Sequence, residues 1–285
     1  MSEGSNASYF RSHDGLQLCY RDFGAGNAGT PVICLPGLTR NSRDFEDLAT
    51  YLSDRRRVIT CDFRGRGFSD YDEHWENYHP LTYVQDTWTL LDHLGINEII
   101  VVGTSLGGLC AMVMATTQGE RLAGVVMNDI GPEINPAGIA RVQEYTGRVP
   151  PVGSWDEAAN QAREIYGEWL PGLSDDDWHK MARRAYREDD NGVPRLDMDP
   201  NIGEAVRKVG AQKGDPWALF DALKDKPVTL LWGVMSDILT KDIVDKMTER
   251  KPDLEVVAVP NRGHVPLLDE SECLAAIDAL LERVA

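Results

Sequence analysis

The chain has 285 residues, of which 46 are acidic and 29 basic, so its formal net charge at pH 7 is −17. Hydrophobic residues make up 42% and charged residues 26%, which is typical of a globular protein with a sizeable core and excludes wholesale disorder. So negative a chain repels nucleic-acid phosphates and anionic membrane surfaces, and no cluster of Lys and Arg makes a local exception. We therefore expect neither nucleic acid nor a membrane as a partner.

The cysteines are scattered and show no CxxC spacing. There are five of them, Cys19, Cys34, Cys61, Cys110 and Cys273. An odd number cannot all pair within one chain, so we expect reduced and mostly buried thiols. The first residues have neither a basic segment nor an apolar one of the kind that marks export, and we expect a cytoplasmic protein.

Strand-like and helix-like stretches alternate along the first part of the chain. The pattern predicts strands over 16–21, 32–35, 58–61, 99–102 and 124–127, and helices over 43–52, 83–94 and 106–118. Such alternation predicts a mainly parallel sheet with helices on both faces, an α/β fold.

One uncharged run, Ile99 to Gly119, is long enough to span a bilayer. Gly103, Gly107 and Gly108 interrupt it and separate a β-branched segment from one rich in Ala and Met. We therefore interpret the run as a buried strand, a turn and a helix of a globular core.

Helical patterns dominate residues 131–214, where no β-branched run of strand length occurs. Ser154 and Ser174 stand at positions typical of helix N-caps. Strand-like sequence returns at 228–232 and 254–259, with helices predicted over 241–250 and 272–283. We predict a core domain of residues 1–130 and 215–285, with a helical cap of residues 131–214 inserted into it.

The segment Gly103-Thr-Ser105-Leu-Gly107 lies between the predicted apolar strand and a helix. This is the context of a nucleophile elbow, in which a serine sits at the tip of a sharp turn and flanking glycines prevent clashes with neighbouring backbone. The turn directs the amide of Leu106 towards an oxygen of a substrate bound to Ser105. We predict that Ser105 is a catalytic nucleophile.

A serine hydroxyl needs a base, and in this strand order an acid and then a histidine should follow it. His264 lies in the loop after strand 254–259, and Asp237 lies in the loop after strand 228–232. Both loops leave the carboxyl ends of strands, where sites in parallel sheets assemble. We predict His264 as the base and favour Asp237 as the acid, with Asp129, just past strand 124–127, as the alternative.

A second oxyanion donor should come from the loop after strand 32–35. Leu35-Pro36-Gly37-Leu38 occupies that position, and the amide of Leu38 is our candidate. The histidines show no metal-ligand spacing, so we predict neither a metal site nor a cofactor.

With these motifs, the sequence resembles the α/β-hydrolases over nearly its whole length. The resemblance implies a triad of Ser105, Asp237 and His264, with oxyanion donors at Leu38 and Leu106. It also implies that residues 131–214 form a lid over the site. Four tryptophans lie in this lid or at its edge, Trp155, Trp169, Trp178 and Trp217, and they either line the substrate pocket, with Trp155 and Trp169 as the candidates, or pack among the helices. Family members that are epoxide hydrolases or haloalkane dehalogenases carry Asp at the elbow, so Ser105 argues against both activities.

We therefore expect a serine hydrolase that cleaves a small carboxylic ester or a lactone through an acyl-enzyme. Three alternatives remain open. They are a carbon-carbon bond hydrolase of the same fold, a perhydrolase or haloperoxidase-like enzyme, and a non-catalytic member that only binds a ligand. The sequence does not fix the oligomeric state.

Overall fold

An eight-stranded sheet forms the centre of the computed structural model, which describes residues 7–208 and 215–284. The described residues form ten strands, of which β7 and β8 make a separate hairpin: β1 (Ala7–Arg11), β2 (Gln17–Phe23), β3 (Val32–Leu35), β4 (Val58–Cys61), β5 (Ile99–Thr104), β6 (Leu122–Asn128), β7 (Tyr186–Glu188), β8 (Pro194–Leu196), β9 (Val228–Gly233) and β10 (Glu255–Val259). The order in the sheet is β1-β2-β4-β3-β5-β6-β9-β10. Six neighbouring strands of the sheet run parallel, namely β4, β3, β5, β6, β9 and β10. At one edge, β1 and β2 pair antiparallel.

Ten α-helices connect or cover these strands in the described residues. They are α1 (Glu46–Leu52), α2 (Pro80–His93), α3 (Leu106–Gln118), α4 (Pro136–Tyr145), α5 (Trp155–Tyr166), α6 (Asp175–Ala185), α7 (Asn201–Lys208), α8 (Pro216–Asp221), α9 (Lys241–Arg250) and α10 (Ser271–Arg283). The predicted α/β class with a mainly parallel sheet is confirmed.

Both faces of the sheet are buried, and β5 shows how one strand serves two cores. Ile99 and Val101 belong to the core that includes residues of α2 and α3, whereas Ile100 and Val102 belong to the core with residues of α1 and α10. Side chains alternate across a strand, so a strand covered on both faces needs apolar residues at every position. The carboxyl end of this buried strand carries Ser105.

The uncharged run from Ile99 to Gly119 forms β5, the turn at Ser105 and α3, as predicted. No helix among residues 7–208 and 215–284 is long and apolar enough to cross a membrane.

Between β6 and β9 the chain forms α4 to α7 and a short hairpin of β7 and β8. We call residues 136–208 the insertion. Ser154 and Ser174 cap α5 and α6 as predicted, since their hydroxyls accept hydrogen bonds from backbone amides in the first turn. The hairpin was not predicted. The predicted domain boundary at 214/215 adjoins residues outside the described ranges and stays a prediction.

Helices α5 and α6 pack on each other through a small apolar core of their own. Its buried members include Ala158, Ala159, Ala162, Trp178 and Ala182. Small alanines let two helices approach closely, so the insertion has internal packing separate from the two cores of the sheet.

All five cysteines are buried and unpaired with one another. Burial, joined by the nearby Asp62 carboxylate, raises the pKa of Cys19 to about 12. The pKa values of the other four thiols are also raised, mainly by burial. The thiols therefore stay protonated at neutral pH in the folded protein.

Candidate active site

The turn between β5 and α3 holds Ser105 in strained backbone geometry, with φ of 50° and ψ of −112°. Neighbouring backbone leaves no room for side chains at the flanking glycines. A Cβ on Gly103 would lie 2.5 Å from the carbonyl carbon of Gly107, and a Cβ on Gly107 would overlap the carbonyl oxygen of Leu35. The glycines of the motif are thus required by the close approach of β3 and α3 at this turn.

The hydroxyl of Ser105 lies 2.8 Å from Nε2 of His264. On the other side of the ring, Nδ1 of His264 lies 2.8 Å from Oδ2 of Asp129. A carboxylate can only accept, so Nδ1 donates to Asp129, and Nε2 is then free to accept the proton of Ser105. These are the contacts that a serine, a general base and an orienting acid make in serine hydrolases.

The preference for Asp237 as the acid is corrected by this geometry. Both carboxylate oxygens of Asp237 accept hydrogen bonds from Arg141 of α4, at 2.6 and 2.8 Å, and it is Asp129 that contacts His264. The loop after β9 points Asp237 towards α4, while Asp129 directly follows the last residue of β6. This position just past a strand is the sequence signal that kept Asp129 as the alternative, and a residue there has little freedom to turn away from the sheet edge.

The Asp129 carboxylate is fully buried and accepts three hydrogen bonds. Besides His264, the amide of Gly233 donates to Oδ1 at 3.0 Å, and the hydroxyl of Ser236 donates to Oδ2 at 2.6 Å. Burial raises the pKa of Asp129 above its usual value, and the hydrogen bonds from His264, Ser236 and Gly233 oppose this rise. Ser236, which the sequence analysis missed, therefore supports the charged form of the acid.

The direction in which the Ser236 hydroxyl donates is set by the backbone around it. Its oxygen accepts hydrogen bonds from the amides of Ile238 at 3.2 Å and Leu239 at 3.0 Å. A hydroxyl has two lone pairs and one proton, so with both lone pairs occupied its proton is available only to Asp129.

The two predicted oxyanion donors lie beside the nucleophile. Leu106 is the first residue of α3, directly after Ser105. On the other side, a Cβ on Gly37 would lie 3.9 Å from Cβ of Ser105, which places the loop carrying Leu38 against the serine. Nε of the fully buried Arg66 donates to the carbonyl of Leu38 at 2.9 Å and holds this loop in place.

A cavity of about 1110 Å³, its open mouth included, contains Ser105 and His264 on its wall. The insertion contributes much of the lining, through Val142, Tyr145, Tyr166, Leu170, Leu173, Asp177, Lys180, Met181 and Arg184. The aromatic rings of Tyr145 and Tyr166 meet edge to face, with centroids 6.1 Å apart. A mainly apolar cavity with a few polar groups beside a nucleophile is typical of a small-molecule site.

Trp155 and Trp169, the predicted pocket residues, do not line this cavity. Nε1 of Trp155 donates to Glu188 at 2.8 Å, and the guanidinium of Arg183 stacks 3.6 Å above its ring. Trp169 packs against Gly263 and accepts a hydrogen bond from the Gly263 amide on its carbonyl, at 2.6 Å. The sequence pattern placed both tryptophans in the insertion, but it could not show that Trp155 begins α5 or that Trp169 lies in the turn after this helix.

Charged side chains on the cavity wall are mostly paired. Arg40 donates to both carboxylate oxygens of Asp44, at 2.7 and 2.6 Å. Lys180 and Arg184 share Asp47, at 2.6 and 2.8 Å. These pairs also tie the insertion to α1, since Asp47 lies in α1 while Lys180 and Arg184 lie in α6.

One cluster in the described residues, His13, Asp14 and Asp86, brings ligand-type atoms within 4.8 Å of one another. Arg64 already donates to both of these carboxylates and to Asp72, at distances from 2.6 to 3.2 Å. The guanidinium supplies the positive charge that a metal ion would otherwise bring, so the cluster fits an ion-pair network better than a metal site.

The alpha/beta hydrolase fold family matches residues 30–271. The chain belongs to this family. A 3-hydroxybutyrate-oligomer hydrolase of Cupriavidus necator is 28% identical over 262 residues, which cover 88% of this chain and 87% of that protein. A 2-(acetamidomethylene)succinate hydrolase of Mesorhizobium japonicum is 27% identical, over 83% of this chain and 82% of that protein.

A solved structure gives the same result for the alpha/beta hydrolase fold. The crystal structure of an alpha/beta hydrolase from Novosphingobium aromaticivorans matches with a TM-score of 0.92 and 42% identity, over 97% of this chain and 98% of that chain. The predicted family resemblance is confirmed, and the chain is a hydrolase of the alpha/beta fold.

Proposed function

We propose that this chain hydrolyses a small carboxylic ester or lactone through an acyl-enzyme formed on Ser105. The observation that carries the proposal is the continuous set of contacts from Ser105 through His264 to Asp129, each 2.8 Å long, on the wall of the cavity. No cofactor is part of this reaction.

In the first step, Oγ of Ser105 attacks the carbonyl carbon while its proton passes to Nε2 of His264. The buried Asp129 carboxylate stabilises the imidazolium that forms. The carbonyl oxygen, which becomes negatively charged, is held by the amides of Leu38 and Leu106, the latter at the positive end of α3. His264 then gives its proton to the alkoxide and the acyl group remains on Ser105. The alcohol of an ester departs, whereas that of a lactone stays attached to the acyl chain.

In the second step, His264 takes a proton from a water molecule, and the hydroxide attacks the acyl carbonyl. Collapse of this second intermediate returns the proton to Ser105 and releases the carboxylic acid. The cavity lining from the insertion, with Tyr145, Tyr166 and Met181, is where the acyl or alcohol part of the substrate would lie.

The similarity to a 3-hydroxybutyrate-oligomer hydrolase favours short oligoesters of hydroxy acids as first substrates to test. A panel should contain p-nitrophenyl esters of several acyl lengths, lactones, 3-hydroxybutyrate dimers and trimers, and a diketone for carbon-carbon cleavage. Parallel assays with peroxide and acetate would detect perhydrolase activity. We expect ester or lactone turnover to exceed the other reactions.

The matched control is Ser105→Ala, which removes only the hydroxyl. We expect it to fold and to lose turnover by on the order of 10⁶ in kcat. Labelling by a fluorophosphonate should vanish with it. Stoichiometric labelling of the alanine variant would place the nucleophile elsewhere, and absence of any Ser105-dependent turnover would favour a protein that only binds its ligand.

A further inference from the structure

Helix α4 of the insertion lies directly on the loop after β9 that carries Ser236. The amide of Asn135 donates to the carbonyl of Ile238 at 3.0 Å. Gly138 packs so closely on the carbonyl of Asp237 that a Cβ there would overlap it. One turn further along, Arg141 donates from Nε and Nη2 to both oxygens of Asp237. A bidentate pair of this kind fixes orientation as well as distance.

The same arginine is linked to the segment that leads to His264 through Trp169, a residue of the insertion. Its guanidinium lies over the ring of Trp169, 5.1 Å from the centroid. The carbonyl of Trp169 accepts from the amide of Gly263, the residue before His264, at 2.6 Å. A Cβ on Gly263 would lie 2.8 Å from Cβ of Trp169, so the indole leaves Gly263 little space to shift.

The two loops also touch each other at this place. The amide of Met235 donates to the carbonyl of Arg262 at 2.9 Å. Arg141 therefore pairs directly with the loop that holds Ser236 against Asp129, and through Trp169 it is linked to the loop that holds His264. Its remaining nitrogen, Nη1, is buried and has no hydrogen-bond partner in the described parts of the chain. The guanidinium thus donates to Asp237 and lies over the ring of Trp169.

We propose that Arg141 is a positioning residue, which keeps His264 aligned with the Asp129 carboxylate through Asp237 and Trp169. The inference rests on the proposed function. Neither Arg141 nor Asp237 lines the cavity, so their contribution falls on the geometry of proton transfer and not on the binding of substrate. A small displacement of a catalytic group by a change outside the site is enough to slow the reaction substantially.

The test compares Arg141→Met, Arg141→Lys, Asp237→Asn and the double variant Arg141→Met with Asp237→Asn. We expect kcat to fall about tenfold in Arg141→Met and in Asp237→Asn, with KM changing less than about twofold for both short and long acyl esters. The double variant should fall no further than Arg141→Met, because that variant has already lost the pair with Asp237. Arg141→Lys, which keeps the charge, should recover part of kcat.

Lys246→Met serves as the control, since Lys246 pairs with Glu133 at 2.8 Å and so joins another ion pair outside both loops. It should leave kcat unchanged. The proposal is overturned if correctly folded Arg141 variants keep full kcat, if the loss appears in KM and varies with acyl length, or if the single losses multiply in the double variant. Unfolding of all the Arg141 and Asp237 variants would also overturn it, because the pair would then hold the fold and not the site. Ser105-dependent turnover by the unmodified protein tests the proposed function separately.

Discussion

The hydroxyl of Ser236 donates to Oδ2 of Asp129, the same carboxylate oxygen that faces Nδ1 of His264. One oxygen of a fully buried carboxylate thus receives two donors, and the other receives the amide of Gly233. A buried carboxylate without donors would favour its neutral form, in which it no longer stabilises an imidazolium.

Asp129→Asn should lose up to roughly 10⁴ in kcat, because an amide no longer fixes the tautomer and orientation of the imidazole. Asp237→Asn should lose only about tenfold, since Asp237 acts at a distance through Arg141. Steady-state kinetics of the two variants on one p-nitrophenyl ester will rank them, with folding checked by circular dichroism. A larger loss in Asp237→Asn would restore Asp237 as the acid.

Ser236→Ala should move the acidic fall of kcat/KM to higher pH. Catalysis needs an ionised Asp129 and a neutral His264, so kcat/KM decreases as the pH is lowered. Burial already raises the pKa of Asp129, and loss of the Ser236 hydrogen bond raises it further, so protonation begins at a higher pH. Ser236→Thr keeps a hydroxyl and should retain the original profile. Superimposable profiles for all three proteins would contradict the role of the hydroxyl.

Leu106→Pro should reduce kcat by about 10² to 10³ for every substrate, because proline removes the amide that would bind the oxyanion. Proline is well tolerated at the first position of a helix, which Leu106 occupies in α3. Leu106→Ala keeps the amide and is the matched control, with activity expected close to that of the unmodified protein. Equal losses in both variants would mean that the Leu106 side chain, and not its amide, is what matters.

Met181→Ala should change the ranking of esters by acyl length, because Met181 lines the cavity. A pocket contact worth roughly 1 to 3 kcal/mol affects only substrates long enough to reach it. Trp155→Ala is the comparison, since Trp155 pairs with Glu188 and Arg183 away from the cavity lining. The measurement is the ratio of kcat/KM between short and long acyl esters, which should change in Met181→Ala and stay the same in Trp155→Ala. A shift in the ranking with Trp155→Ala but not with Met181→Ala would show that the cavity lining is misassigned.

Arg64→Met should destabilise the fold by about 3 to 5 kcal/mol, because it leaves the carboxylates of Asp72 and Asp86 buried without a counter-charge. Arg163→Met removes the exposed pair with Asp175 and should cost less than about 1 kcal/mol. Urea unfolding of both variants measures the difference. Equal stabilities would show that the buried network contributes no more than a surface pair.

The elbow and the fold could be predicted from the sequence because their signals are local. An apolar strand, Gly103-Thr-Ser105-Leu-Gly107 and a helix follow one another within a short stretch, and the strained turn requires those glycines. The short edge strand β1 and the hairpin of β7 and β8 were not predicted, since they lack the continuous apolar runs that mark the equally short β3 and β4.

The acid could not be chosen from the sequence alone because Asp129 and Asp237 follow strands that are neighbours in the sheet, β6 and β9. The choice depends on which way each side chain turns, and a partner from a distant part of the chain, Arg141, draws Asp237 towards α4. The same limit applies to Trp155 and Trp169. Trp155 begins α5 and Trp169 lies in the turn after this helix, and spacing along the sequence does not show whether either side chain meets the cavity.

The five buried cysteines can report local unfolding of the chain. A thiol-reactive dye reacts only with an exposed thiolate, because the thiolate is the nucleophile. All five thiols are buried and protonated in the native state. Labelling in native buffer therefore proceeds only through molecules or segments that have transiently unfolded. Because the cysteines lie in β2, β3, β4, α3 and α10, mapping the labelled positions by mass spectrometry would reveal which part of the sheet opens first.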